Sequence, residues 1–256
     1  MITTGEQIIV IGSANTDMVI KTDRLPAPGE TRLGGRFYLN AGGKGANQAV
    51  AAARLGGNVS FVGKVGDDIF GVKTREGLQH EGIDTRFLFT DGEQPSGTAL
   101  IMVDDHGENC IAVASGANAN LSERDLASLP FFESTCTILM QLEIPLETVE
   151  WVADKADQRQ KLILNPAPAQ PLSPDLLKKL FLIVPNESEA SLLTGITVTD
   201  KHSAEQAAGL LLEKGVQQVI ITLGAQGALL KNKDVCLMAE APTVQALDTK
   251  IGRAHV

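Results

Sequence analysis

Cysteine is scarce in this sequence, and the three present, Cys110, Cys136 and Cys236, lie far apart with no metal-ligand spacing. That excludes a disulfide scaffold and leaves reduced, mostly buried thiols of a cytoplasmic protein as the expectation. Long apolar runs are missing too: the longest, 49–53 and 180–185, fall far short of a bilayer. No basic segment precedes the apolar residues 8–11, so neither a membrane span nor a secretory signal is expected. Positive charge is in deficit, with 22 Lys and Arg against 31 Asp and Glu and a formal net charge of −9. No basic run exceeds Lys178-Lys179, and there is one Trp and one Tyr. A nucleic-acid surface needs a basic stripe with stacking aromatics, so nucleic acid is excluded as a partner. The four histidines, His80, His106, His202 and His255, are scattered, which leaves no triad and no H-E-x-x-H metal motif.

What is present is the composition of an ordinary globular chain, 43% apolar and 21% charged, long enough to bury a core. Short apolar runs, often β-branched, at Gln7–Ile11, 59–62, Cys136–Met140, 161–164, 181–184 and 219–222 read as strands covered on both faces. Between them, 44–55 and 68–80 read as helices. So does the stripe Ala204, Ala207, Ala208, Leu211 and Leu212, which Gly215 stops. This alternation predicts an α/β fold with a doubly wound, mostly parallel sheet. Two stretches break the rhythm. Residues 17–40 hold a Pro-Gly turn at 25–30, and 96–114 alternate as two strands around Asp104-Asp105-His106-Gly107. They predict a small separate sheet over one edge of the main one, serving either as a lid or as surface decoration.

Several turns carry residues suited to chemistry. Asn40-Ala41-Gly42-Gly43-Lys44-Gly45-Ala46-Asn47-Gln48 lies at a strand-to-helix junction, where glycines admit close backbone approach and a helix N-terminus offers free N–H groups. It is not a Walker A loop, because Tyr38 stands where the first glycine belongs and Gly45 follows Lys44 where Ser or Thr is needed. Nor is it a dinucleotide fingerprint, since Gln48 takes the third glycine position. Gly12-Ser13-Ala14-Asn15-Thr16-Asp17 follows the first strand at its carboxyl end, where α/β sheets bind ligands, although Asn and Asp also build plain Asx-turns there. Glu143 follows another strand and can either bond a hydroxyl or solvate the surface. Asn186-Glu187-Ser188-Glu189 reads as a helix start with a capping box, or as an acidic pair near hydrated Mg²⁺. Thr222-Leu223-Gly224-Ala225-Gln226-Gly227 ends a strand, either as a hairpin turn or as a nucleotide-binding loop.

Taken in order, these segments resemble the ribokinase-like carbohydrate kinase family across residues 6–249. The carriers are Gly12-Ser13-Ala14-Asn15-Thr16-Asp17, Pro28-Gly29-Glu30, Gly42-Gly43-Lys44-Gly45-Ala46-Asn47-Gln48-Ala49 and Ser115-Gly116-Ala117-Asn118. Further on come Met140-Gln141-Leu142-Glu143, Asn165-Pro166-Ala167-Pro168-Ala169, Pro185-Asn186-Glu187-Ser188-Glu189-Ala190 and Ile221-Thr222-Leu223-Gly224. The resemblance implies a Rossmann-like domain with a β-sheet lid that often also forms a homodimer contact. It implies transfer of a phosphoryl group from ATP to the 5-hydroxyl of D-ribose, with Mg²⁺ and K⁺. By position, Asn15, Asp17, Gly42, Gly43, Lys44, Asn47 and Glu143 match residues that hold the sugar. Asn186, Thr222, Gly224 and Gly227 match residues that hold ATP, Glu189 the acid that arranges Mg²⁺ through water, and Asp248, with Thr249 beside it, a K⁺ ligand.

The resemblance breaks after Asp248. The family continues into a Gly-Ala/Ala-Gly-Asp type turn whose Asp is the general base and whose N–H groups form an anion hole. Here the chain reads Lys250-Ile251-Gly252-Arg253-Ala254-His255-Val256, and no Asp follows Asp248. Those residues can be encoded by AAG ATC GGA AGA GCA CAC GTC, which looks like a common sequencing-library adapter. The expectation is one domain over 1–256, incomplete at its C-terminus and inactive as written, with its lid at 17–40 and 96–114. The rivals are a family kinase for deoxyribose, fructose or a nucleoside, and a non-catalytic sugar-binding protein.

Overall fold

Strand β1 (Gln7–Ile11) buries Ile9, Val10 and Ile11 completely. A strand apolar on both faces belongs inside a sheet that is covered on both sides. The computed structural model describes residues 6–242 and builds that sheet around it. From β1 the chain leaves for β2 (Asn15–Lys21) and β3 (Arg36–Gly42), enters α1 (Lys44–Arg54), and returns through β4 (Asn58–Gly66), α2 (Ile69–His80) and β5 (Asp84–Asp91). A hairpin of β6 (Gly97–Val103) and β7 (Asn109–Ala114) leads to α3 (Glu123–Leu126), β8 (Cys136–Met140), α4 (Leu146–Lys155), β9 (Gln160–Leu164) and α5 (Pro174–Lys179). Then come β10 (Leu182–Ile183), α6 (Glu187–Thr194), α7 (Lys201–Glu213), β11 (Gln218–Thr222), β12 (Ala228–Asn232) and β13 (Cys236–Ala239).

The main sheet has nine strands among the described residues, in the order β13-β12-β11-β10-β9-β8-β1-β4-β5. From β5 to β11 neighbours run parallel, and only β12 and β13 turn antiparallel. The chain winds outward from β1 to β4 and β5, then restarts at β8 on the other flank and winds outward again. The winding therefore reverses between β1 and β8. In an open parallel sheet such a reversal leaves a crevice at the carboxyl ends of the two strands, the usual place for a ligand.

This is the doubly wound α/β sheet that the alternation predicts, and the helices follow their stripes. In α7, Ala204, Ala207, Ala208 and Leu211 are fully buried, while Leu212 packs at the edge of the core. Helix α2 is capped by Asp68, whose carboxylate accepts from the N–H groups of Phe70 (3.0 Å) and Gly71 (2.8 Å), the stabilising arrangement at a helix start. Strand β5 lacks the apolar signature of its neighbours, because it is the sheet's edge and needs burial on fewer sides. The cysteines correct one expectation: Cys136 is buried, but Cys110 and Cys236 are exposed. They sit on β7 and β13, each the last strand of its sheet, where no neighbour covers them.

Strands β2, β3, β6 and β7 form a second sheet, in the order β3-β2-β6-β7, with β2 and β6 parallel and the outer pairs antiparallel. Its period-2 alternation separates two faces. One carries the buried Val19, Ala99 and Val103, while Ile20, Phe37, Leu39 and Leu100 on the other are exposed. No helix among the described residues is long and apolar enough to cross a membrane.

Candidate active site

Both glycine-containing motifs near the N-terminus fall where the two sheets meet. Gly12-Ser13-Ala14 joins β1 to β2, and Gly43 joins β3 to α1. Gly43 has φ +90°, and a Cβ there would lie 2.7 Å from the Asn15 nitrogen and 2.8 Å from Ala14 Cα, so only glycine fits. Gly45 presses against Ser13 in the same way, with a Cβ position 2.6 Å from the Ser13 nitrogen. This tight crossing places the first turn of α1 directly over the end of β1.

Helix α1 has no capping side chain of its own, and its N-cap is Gly43. Its cap comes from across the crevice. Glu143, just after β8, accepts from the Lys44 backbone N–H at 2.9 Å and from Ser13 Oγ at 2.6 Å through the same oxygen, Oε2. The Gly45 N–H donates to Ser13 Oγ at 3.3 Å. Lys44 Nζ stands 3.7 Å from the other oxygen, Oε1. A carboxylate at a helix N-terminus is favoured by the partial positive charge there. One acid thus stitches together β1, β8 and α1 at the point where the winding reverses.

Beside it lies Asp17, on β2 opposite Asn40 and packed against Gly42, where a Cβ would strike its carboxylate. Burial raises its pKa, the neighbouring Glu143 raises it further, and Lys44 pulls it back. Among the described residues, none donates a hydrogen bond to its carboxylate. Asn15 is held differently: Asn118 Nδ2 donates to its Oδ1 at 2.8 Å, and Asn118 Oδ1 takes the Ala14 N–H at 2.9 Å. A cavity of about 460 Å³ opens here, lined by Asn15, Lys44, Asn118, Glu143 and, from the small sheet, Val113. A smaller one of about 180 Å³ touches Asn15, Gly42 and Asn47. Lys44 and Asn47, three residues apart on α1, share one helix face. A roomier groove of about 800 Å³ lies elsewhere, around the Lys64–Asp125 ion pair, and touches none of these residues.

The second group sits at the ends of β10 and β11. Asn186 and Thr222 pair through an isolated parallel bridge, which brings their two motifs side by side. The capping box is fully formed: Asn186 Oδ1 accepts from the Glu189 N–H at 2.8 Å, and Glu189 Oε2 accepts from the Asn186 N–H at 2.9 Å. Residues 222–227 close the β11–β12 hairpin through a short 3-10 turn, with Gly224 exposed and Gly227 pressed against Ala241. The structure shows the hairpin turn, placed at the carboxyl end of β11.

A sequence profile of the "pfkB family carbohydrate kinase" matches residues 6–250. The chain belongs to the pfkB carbohydrate kinase family. It is 44% identical over 245 residues to the ribokinase of Haemophilus influenzae, an alignment covering 94% of this chain and 80% of that one. It is 38% identical over 245 residues to the deoxyribokinase of Salmonella typhimurium, with the same coverage of 94% and 80%. Among solved structures, Arabidopsis thaliana ribokinase complexed with ribose and ATP superposes with a TM-score of 0.85 at 31% identity, covering 96% of this chain and 81% of that chain.

The motifs gather into two clusters, one around Asn15, Asp17, Lys44 and Glu143 and one around Asn186 and Thr222. Asp248, Thr249 and the tail 250–256 lie outside the described residues. Two residues of the site escaped the reading as individuals. Ser13 and Asn118 stand inside quoted motifs, but their work is done over separations of 130 and 104 positions, which no local spacing reveals. For the Mg²⁺ of the family pattern, no group of three or more His, Cys, Asp or Glu that could hold a metal ion occurs among the described residues. Glu189 is buried and engaged in the capping box, so it offers no direct-ligand cage.

Proposed function

We propose that this pfkB kinase phosphorylates D-ribose at its 5-hydroxyl, with ATP as the phosphoryl donor. The observation that carries the reading is Asp17: a half-buried carboxylate with no hydrogen-bond partner among the described residues, set among Gly42, Glu143 and Lys44 at the carboxyl ends of the central strands. An ionised carboxylate accepts only, so it calls for a ligand with hydroxyl donors. Glu143 Oε1 and Asn47 extend that demand to further hydroxyls of a small sugar. The likeness to ribokinases supports the same substrate.

On this reading Asp17 and Glu143 accept from sugar hydroxyls and Lys44 donates to them. Asn186, Thr222, Gly224 and Gly227 line the nucleotide, and the sugar 5-oxygen attacks the γ-phosphorus in line. Its new O–P bond forms as the bond to the β–γ bridging oxygen breaks and ADP leaves, with the hydroxyl proton passing to water. Catalysis is then chiefly positioning and charge stabilisation. Mg²⁺ would be carried by the nucleotide phosphates and water, its usual mode, with Glu189 acting through water at most. Bound in that way, it neutralises phosphate charge. The K⁺ ligand Asp248 lies outside the described residues, and no step is assigned to that ion. The small sheet serves as a lid on the sugar. Its outer face, with Ile20, Phe37, Leu39 and Leu100 exposed, is the homodimer contact that the family pattern implies. Leu100→Glu is then expected to shift the sedimentation coefficient from dimer to monomer.

A second reading, a deoxyribose kinase, is favoured by the 38% identity to the Salmonella enzyme. A site built to bond a hydroxyl rejects an analogue that lacks it, because its polar groups are left unpaired. Calorimetry and a phosphorylation assay with ribose, 2-deoxyribose and fructose decide among them. Ribose preferred in both supports the proposal, a preference for 2-deoxyribose selects the second reading, and ribose binding without turnover fits the expected inactivity as well as a non-catalytic sugar binder.

A further inference from the structure

Between the two clusters runs a chain of side-chain amides. Gln141 Nε2 donates to Gln48 Oε1 at 2.6 Å, Gln48 Nε2 donates to Asn165 Oδ1 at 3.3 Å, and Asn165 Nδ2 donates to the backbone carbonyl of Val184 at 2.8 Å. Each amide comes from a different element. Gln48 is on α1, next to Asn47; Gln141 follows β8, two residues before Glu143; Asn165 follows β9; and Val184 follows β10, two residues before Asn186. The chain therefore starts among the sugar-side residues and ends at the nucleotide-side motif.

Its direction is set at one end only. Val184 contributes a carbonyl, which accepts and cannot donate, so Asn165 must present Nδ2 to it and Oδ1 to Gln48. Gln48 must then present Nε2 to Asn165 and Oε1 to Gln141. Gln141 is left with its Oε1 pointing the other way, at Gly12, where a Cβ would collide with it. That oxygen is the one buried side-chain polar atom among the described residues that has no hydrogen-bond partner. Turning the Gln141 amide over would set two carbonyl oxygens face to face at Gln48, so the orphan cannot be relieved locally.

Stability alone does not explain such a network. Gln141 is fully buried and Asn165 nearly so, and a partly satisfied buried polar network is worse for stability than apolar side chains of the same volume. What the amides supply is a fixed spacing between elements, because each hydrogen bond tolerates only a few tenths of an ångström before it weakens. Phosphoryl transfer depends on that spacing, since a misplacement of about 1 Å can cost about 100-fold in rate.

We propose that Gln48 is a positioning residue: through Gln141 and Asn165 it sets the separation between the sugar hydroxyl and the nucleotide γ-phosphate. This rests on the sugar-kinase reading. The test is the variant Gln48→Met, which keeps length and volume and removes both hydrogen bonds. A second variant combines Gln48→Met, Gln141→Met and Asn165→Leu and leaves none of the three amides unpaired. For both, the ribose and ATP dissociation constants, the thermal midpoint, and a crystal structure with ribose and β,γ-methylene ATP are compared with the unsubstituted chain. The expected result for the triple variant is a thermal midpoint at or above that of the parent. Each ligand should bind within about threefold of the parent, and the distance from the sugar 5-oxygen to the γ-phosphorus should lengthen by about 1 Å. Any turnover should fall by at least tenfold with little change in either KM. An unchanged distance with both ligands bound would overturn the proposal alone. So would parallel loss of stability and affinity in both variants, the mark of a merely structural role. Failure of the unsubstituted chain to bind ribose at all would refute the sugar-kinase reading, and the proposal would fall with it.

Discussion

The cluster around Asp17 and Glu143 and the cluster around Asn186 and Thr222 are held by different means. At the second, Asn186 and Glu189 satisfy each other three residues apart, and the Thr222 loop is a hairpin turn between adjacent strands. At the first, the bonds that join its elements are long-range: Ser13 to Glu143 across 130 positions, the Lys44 N–H to Glu143 across 99, and Asn118 to Ala14 across 104. The Asn186 capping box forms with its helix, while the bridge from Asn186 to Thr222 needs β10 and β11 side by side. The other cluster exists only when β1, β8, α1 and the small sheet are all in place. Beside Asp17, Glu143 is committed to Ser13 and to the start of α1.

The contrast can be broken most severely at Asp17. Asp17→Ala removes an acceptor for about two charge-assisted hydrogen bonds, each worth roughly 1.5–3 kcal/mol. Ribose affinity measured by calorimetry should fall by at least tenfold while ATP affinity is unchanged. Equal losses for both ligands would show that the clusters are not separable. The next largest effect is expected from Gly43→Ala, which forces a Cβ against Asn15 and Ala14 at a positive φ. It should cost roughly 2–3 kcal/mol in urea unfolding and weaken ribose binding as α1 is pushed from β1.

Asn186→Ala sharpens the other side of the comparison. It removes a helix cap, so about 1 kcal/mol of stability should go, ATP binding should weaken, and ribose binding should stay the same. The smallest effect concerns charge. Burial and Glu143 raise the Asp17 pKa in the folded protein, so the folded state holds its proton more tightly than the unfolded state does. Stability therefore falls as pH rises from the unfolded value through the raised folded one, and the full penalty is reached above that folded value. Asp17→Asn should raise the thermal midpoint at pH 7, and the gain should shrink as pH drops through the ordinary aspartate range. A constant gain at all pH values would mean that packing, not charge, is responsible.

The strands β1 and β8, the stripe of α7 and the capping box at Asn186 were legible because each is a local pattern that its own neighbours satisfy. β5 was not, since an edge strand can be polar without penalty. Exposure of Cys110 and Cys236 was not legible either, because whether a strand ends its sheet is a property of the sheet and not of the strand. Gln48, Gln141 and Asn165 each look like ordinary polar residues in their segments. Their connection appears only when three strand ends and a helix converge.

By itself, then, the order of residues determined the α/β alternation and the family, since those depend on periodicity and on short motifs. Only the tertiary structure decided that the winding reverses between β1 and β8. It alone decided that Glu143 caps a helix beginning at Lys44 and that, among the described residues, neither the Asp17 carboxylate nor one amide oxygen of Gln141 finds a hydrogen-bond partner. Each of these is set by which distant groups meet in a low-dielectric crevice, and the strength and direction of a hydrogen bond or a pKa shift depend on that meeting.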